Sequence, residues 1–146
     1  MKRKDFIHDC GFACLGLLGV SALLESCSTT KAVKGQLTDK RLTIALTEFL
    51  VKKSDQTGYK RYIIVRNEAF NYPIVVYRES DTQYTALLLR CSHQQNELNV
   101  SGELLTCPAH GSEFNARGEV MRGPADQKLR QFPTSTDAQN LYIDLA

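Results

Sequence analysis

Two short stretches of the sequence gather side chains that bind metals: CSH at residues 91–93 and CPAH at residues 107–110. Each opens with a cysteine and follows it closely with a histidine. Cys91, His93, Cys107 and His110 thus offer two thiolates and two imidazoles, separated by the 13 residues 94–106. Four nitrogen and sulfur ligands suit a closed tetrahedral zinc or an iron–sulfur cluster, and the spacing alone does not choose between them. A disulfide between Cys91 and Cys107 would account for the thiols but would leave both histidines without a role.

The other cysteines and the third histidine lie near the N-terminus. Basic Lys2, Arg3 and Lys4 lead into GFACLGLLGVSALL at residues 11–24, an uncharged run too short to span a bilayer comfortably. It reads as an export signal. Directly after it, LESC places Leu24 three residues before Cys27 and the small Ser26 immediately before it. This is similar to the lipobox of bacterial lipoproteins, with Glu25 as a departure. The similarity implies cleavage after residue 26, a diacylglycerol on the Cys27 sulfur, and a membrane-anchored protein facing the periplasm or the cell exterior. RKDFI at residues 3–7 resembles the twin-arginine export pattern with Lys4 in place of the second arginine; that route carries folded proteins, which suits a cofactor assembled before export. Cleavage removes His8, Cys10 and Cys14, so every histidine and every non-lipidated cysteine of the mature chain falls in the two stretches.

The segments that must position these residues read as an all-β domain. Residues 27–40 are small, polar and lysine-bearing and read as a lipidated N-terminus and tether, which starts the domain near Arg41 and runs it over 41–146. LTIALTEFL, RYIIV, YPIVVYRE, QYTALLLR, LNVSGELLT and NLYIDLA are short, rich in β-branched and aromatic residues, and divided by turn signals. A hairpin over 72–90 delivers the chain to Cys91, and a second, with Ser101-Gly102 at its tip, delivers it to Cys107. The net charge of +2 with interspersed signs, and the absence of tryptophan, give no basic or base-stacking surface, so nucleic acid is not expected as a partner.

The neighbours of the two stretches carry a resemblance. CxH, then CxxHGS, then the tail FNARGEVMRGPADQKLRQF at residues 114–132, with Phe114, Gly118, Val120, Gly123, Pro124, Ala125, Leu129 and Phe132 in place, resembles the Rieske family. The resemblance implies antiparallel β-sheets with a small cluster-binding subdomain. It implies one [2Fe–2S] cluster, with Cys91 and Cys107 on one iron and His93 and His110 on the other. Replacing two thiolates by neutral imidazoles removes negative charge, which raises the potential into a range of about −150 to +300 mV, and the histidine N–H groups can couple electron to proton.

Ser112 stands where high-potential relatives aim a hydroxyl at a bridging sulfide, and Phe114 where they have a tyrosine. With one of two donors missing, the expected potential is intermediate. Gly111 lets the backbone pass close to the cluster, and the segment containing Pro124 covers one side of it. Asn96 and Ala109 occupy the places of a second cysteine pair, so the disulfide that joins the loops in such relatives is absent. The implied function is one-electron transfer by an exported, membrane-tethered protein. Its partners would be redox proteins or a membrane quinone or cytochrome, making it a component of an oxidoreductase system rather than a stand-alone enzyme. A subunit of a larger quinol–cytochrome or arsenite-oxidase-like complex is the alternative, and a zinc-stabilised binding module the remote one.

Overall fold

The computed structural model describes residues 32–53 and 56–146. The expected export signal, Cys27 and residues 28–31 of the tether lie outside the described residues. In chain order the strands are β1 (Val33–Lys34), β2 (Gln36–Thr38), β3 (Arg41–Ala45), β4 (Leu50–Lys53), β5 (Gln56–Tyr59), β6 (Tyr62–Arg66), β7 (Ile74–Arg78) and β8 (Tyr84–Leu88). There follow β9 (Asn99–Ser101), β10 (Leu104–Thr106), β11 (Glu113–Phe114), β12 (Val120–Arg122), β13 (Gln131–Phe132), β14 (Thr134–Thr136) and β15 (Asn140–Asp144). They form a central sheet in the order β1-β6-β7-β8-β13, a base sheet β14-β15-β3-β2, a small sheet β12-β11-β10-β9 and the hairpin β4-β5. The all-β architecture of antiparallel sheets with a small subdomain is the one expected, apart from the parallel pairing of β1 with β6.

The central sheet buries both faces, which explains its sequence. In β7, Ile74 and Val76 enter one core while Val75 and Tyr77 enter the other; in β8, Tyr84 and Ala86 part from Leu87 in the same way. Strands buried on both sides read as continuous apolar runs such as IVVY, where β6 at the less protected side alternates. The first core is closed by Leu42, Ile44, Leu141 and Ile143 of the base sheet. The second contains Cys91, Leu98, Leu105, Cys107, Phe114, Ala125 and Leu129, so the two thiols end in packed apolar surroundings. Each fully buried aliphatic or aromatic side chain there stabilises the fold by about 1.5–3 kcal/mol.

Three sequence readings change in detail. The tether expected to reach Lys40 ends sooner, because β1 pairs with β6 and β2 with β3, and Val33 is buried. Strands of two and three residues are too short to leave an apolar period, and β2 is exposed throughout. LTIALTEFL is not one strand: β3 gives way to a 3-10 turn at Leu46–Phe49 that sinks Phe49 into the first core. The tip of the second hairpin is Gly102-Glu103, since Ser101 pairs with Leu104.

The turn joining β14 to β15 is held by one carboxylate. Asp137 accepts the Tyr142 hydroxyl at 2.5 Å and the Gln139 and Asn140 N–H groups at 2.7 Å each. The Tyr142 bond above all, then the two backbone bonds, hold its pKa down to about 2. A depressed carboxylate contributes stability that is complete above its unfolded pKa of about 3.9 and is lost as pH falls towards the folded value. Denaturation measured between pH 5 and 2 should therefore show a loss of stability that Asp137→Asn reduces.

Candidate metal centre

Cys91 and Cys107 open two six-residue loops of the same build. Residues 91–96 are closed by an antiparallel bridge between Arg90 and Glu97, and residues 107–112 by the Thr106–Glu113 pair of β10 and β11. In each loop the cysteine N–H donates to the carbonyl five residues on, Asn96 or Ser112, at 2.8 Å. The cysteine carbonyl accepts the N–H four residues on, from Gln95 at 2.9 Å and from Gly111 at 3.0 Å. That fourth residue takes a left-handed conformation in both, with φ of 58° at Gln95 and 75° at Gly111. A Cβ on Gly111 would meet nothing within 4 Å, so it is the conformation that favours glycine there. Gln95 adopts it at a cost of roughly 1 kcal/mol.

This repeated turn places a thiol at the foot of each loop and an imidazole at its tip. Cys91 and Cys107 are 0% and 3% exposed and are not bonded to each other. His93 and His110 are exposed, and their rings meet edge to face with centroids 5.1 Å apart. Among the described residues no three His, Cys, Asp or Glu side chains converge on a single-ion site. The four candidates instead form an inner pair and an outer pair, a disposition that fits a two-iron cluster with two protein ligands at each iron.

The surroundings fit such a group. Ser112 is fully buried, and its Oγ accepts the Ala125 N–H at 3.0 Å, which leaves the hydroxyl hydrogen to be donated. Phe114 is fully buried in the second core, packed without a hydroxyl where a further donor would stand. Pro124 is itself exposed and follows a cis Gly123–Pro124 peptide; the contact of this segment with the second loop is made by its neighbour Ala125. Ser92 Oγ donates to the Gln127 carbonyl at 2.6 Å, so the same segment grips the first loop. Asn96 and Ala109 make no link between the loops, and residues 125–127 supply one.

The segment is anchored through Gly118, whose carbonyl accepts the Leu129 N–H at 2.8 Å. Gly118 has φ of 78°, and a Cβ there would lie 3.0 Å from Leu87 and 3.2 Å from the Leu129 Cβ. Gly118→Ala combines left-handed strain with a clash against a buried anchor. It should lower the unfolding free energy by roughly 1–3 kcal/mol, read as a shifted urea midpoint with an unchanged slope.

Two contacts hold the small sheet on the central one. The Tyr77 hydroxyl donates to the Gly102 carbonyl at 3.0 Å, and Arg61 pairs with Glu103 at 2.7 Å. Burial pushes the Tyr77 pKa up, so it remains a donor. Ser92, Gln95 and Tyr77 are the positioning residues that the sequence did not single out, and Ala125 stood there only as part of the tail; a left-handed glutamine and a backbone-mediated link leave no compositional trace. A hollow of about 450 Å³ lined by Val33 and Phe70 includes no residue of either loop.

A family model described as the Rieske [2Fe-2S] domain matches residues 47–133, more than half of the 146-residue chain. No curated protein sequence matches significantly. Among solved structures, the plasma membrane Rieske protein PetC3 from Synechocystis PCC 6803 is similar, with a TM-score of 0.49 and 25% identity over 57% of this chain and 86% of that one. The complex of reduced oxygenase and oxidized ferredoxin in carbazole 1,9a-dioxygenase gives 0.44 and 25% over 57% and 79%. A hyperthermophilic respiratory Complex III gives 0.44 and 18% over 92% and 97%.

Proposed function

Because the chain belongs to the Rieske [2Fe–2S] domain family and is an electron-transfer protein with one such cluster, we propose that Cys91 and Cys107 ligate the inner iron and His93 and His110 the outer one. The observation that carries this assignment is the split between two buried thiols and two exposed imidazoles on loops of equal build. When bound, the cluster accepts and returns one electron at a time.

The residues divide the remaining work. Two neutral imidazoles in place of thiolates lower the negative charge around the site. The buried Ser112 hydroxyl supplies a hydrogen bond that strengthens as that charge grows, and Phe114 supplies none. The exposed histidines mark the edge at which a partner makes contact, because electron transfer needs a close approach and the cysteine side lies under packed side chains. The partners are redox proteins, of which a periplasmic or membrane cytochrome, or a membrane quinone, is the reading that suits an exported carrier.

The assignment is tested on iron-loaded protein labelled with 15N-histidine. Pulsed electron paramagnetic resonance of the reduced state should detect two coupled imidazole nitrogens; detection of one or none sinks the two-histidine ligand set. We further infer from the LESC sequence that Cys27 bears lipid and tethers the exported protein. Cys27→Ala should then move the protein from the membrane fraction to the soluble or uncleaved precursor pool, and a processed protein still in the membrane would contradict it.

A further inference from the structure

Beside the first loop lie two hollows of about 420 and 260 Å³ that share the side chains of Leu88, Arg90 and Arg130. The larger reaches Ser92 and Gln127 at the foot of the loop and is also lined by Lys128. The smaller continues to Phe70, Tyr72 and Phe132. Together they form one groove with three cations and no acidic side chain along its walls, and only past Phe70 and Tyr72 does it meet a further hollow, lined by Lys34, Arg66 and Glu68. Asp126, the one acid in the adjoining segment, does not line it.

The two arginines are held in place, and none of the three cations has a counter-charge among the described residues. Among the described residues the ion pairs are Arg61–Glu103, Arg66–Glu97, Arg78–Asp81 and Arg122–Glu113, and none uses Arg90, Lys128 or Arg130. The Arg90 guanidinium lies 6.0 Å from the Tyr72 ring centroid, and that of Arg130 lies 4.8 Å from the Phe132 ring and donates to the Leu145 carbonyl at 3.3 Å. Aromatic support of this kind fixes a guanidinium while leaving most of its donors to solvent. Arg90 also directly precedes Cys91, so the cationic groove begins at the proposed ligand loop.

We propose that this groove is a docking surface for a redox protein with an acidic face, which it steers to the histidine edge. The proposal rests on the electron-transfer reading above and adds the charge of the partner. Three unpaired cations at one flank of the site raise the local concentration of an anionic surface and disfavour a cationic one, and steering of this kind changes association rates by about 10–10³-fold. The chain's overall charge of +2 does not disclose it, because the effect depends on where the unpaired cations sit.

The test is stopped-flow oxidation of the reduced protein by two carriers of opposite surface charge, plastocyanin as the acidic one and mitochondrial cytochrome c as the basic one. With the wild type, the plastocyanin rate should fall steeply as salt is added. In Arg90→Gln/Lys128→Gln/Arg130→Gln it should fall about tenfold or more at low salt relative to the cytochrome c rate. Taking the ratio cancels any change in driving force, which both oxidants feel alike. Lys128→Glu, an exposed single change, should reduce the same ratio at least about threefold and serves if the triple variant does not fold. An unchanged ratio in folded variants with a normal reduced-state spectrum overturns the docking surface alone. A wild type that takes up no electron overturns the electron-transfer reading and the docking surface with it.

Discussion

His110→Ala leaves the purified protein without its cluster: the visible absorption and the reduced-state paramagnetic signal per chain fall more than about tenfold, and His93→Ala does the same. The reason is that each histidine is proposed as one of only two protein ligands on the outer iron, so no neighbouring side chain can replace it. Cys91, His93, Cys107 and His110 are the only cysteines and histidines of residues 32–146, so no spare thiol or imidazole is at hand. The effect is separable from unfolding. Both imidazoles are exposed, so truncating either removes little packing. The cysteines make the contrasting case. Cys91→Ser or Cys107→Ser puts a hydroxyl into the second core and leaves it short of partners, so cluster and stability should both be lost. A full-strength reduced spectrum in either histidine variant would remove that residue from the ligand set.

Ser112→Ala lowers the midpoint potential. A hydrogen bond to a charged acceptor contributes about 1.5–3 kcal/mol, and if most of it forms only with the reduced state its loss corresponds to about 60–130 mV for one electron. The buried hydroxyl is suited to this role because its oxygen is already occupied by the Ala125 N–H, leaving its hydrogen to be directed towards the site. The substitution also strips Ala125 of its acceptor and should cost roughly 1–3 kcal/mol of stability, so the two readouts must be taken separately. Ser112→Thr, which keeps the hydroxyl, should restore most of the potential. Lower stability with an unchanged midpoint would make Ser112 a purely structural link between the second loop and the covering segment.

Much of this site was legible because its chemistry resides in residue types that are scarce elsewhere in the domain. Cys91, His93, Cys107 and His110 stand out against a stretch, residues 41–146, with no other histidine or cysteine, and the strands that deliver them are marked by β-branched runs and turns. The double burial of the central sheet is visible in IVVY and ALLL once it is known that both faces are covered. What was not legible depends on the backbone. The short strands β1 and β2 are set by pairing, not by periodicity, so the tether read to Lys40 takes in residues from Val33 onward that belong to the sheets. The equivalence of the two loops rests on N–H and C=O bonds and on a left-handed Gln95, which nothing in its side chain announces. The segment read as a cover touches both loops, but through main-chain atoms of Ala125 and Gln127, while the conspicuous Pro124 is exposed. That Arg90 meets Lys128 and Arg130 in one groove was not legible, because they are far apart in the sequence and come together only in the fold.

A two-cysteine, two-histidine [2Fe–2S] centre that moves one electron at a time is best tested by voltammetry of the purified, iron-loaded protein. A one-electron wave within about −150 to +300 mV is expected. A protein that binds zinc stoichiometrically and shows no wave in that range would contradict it.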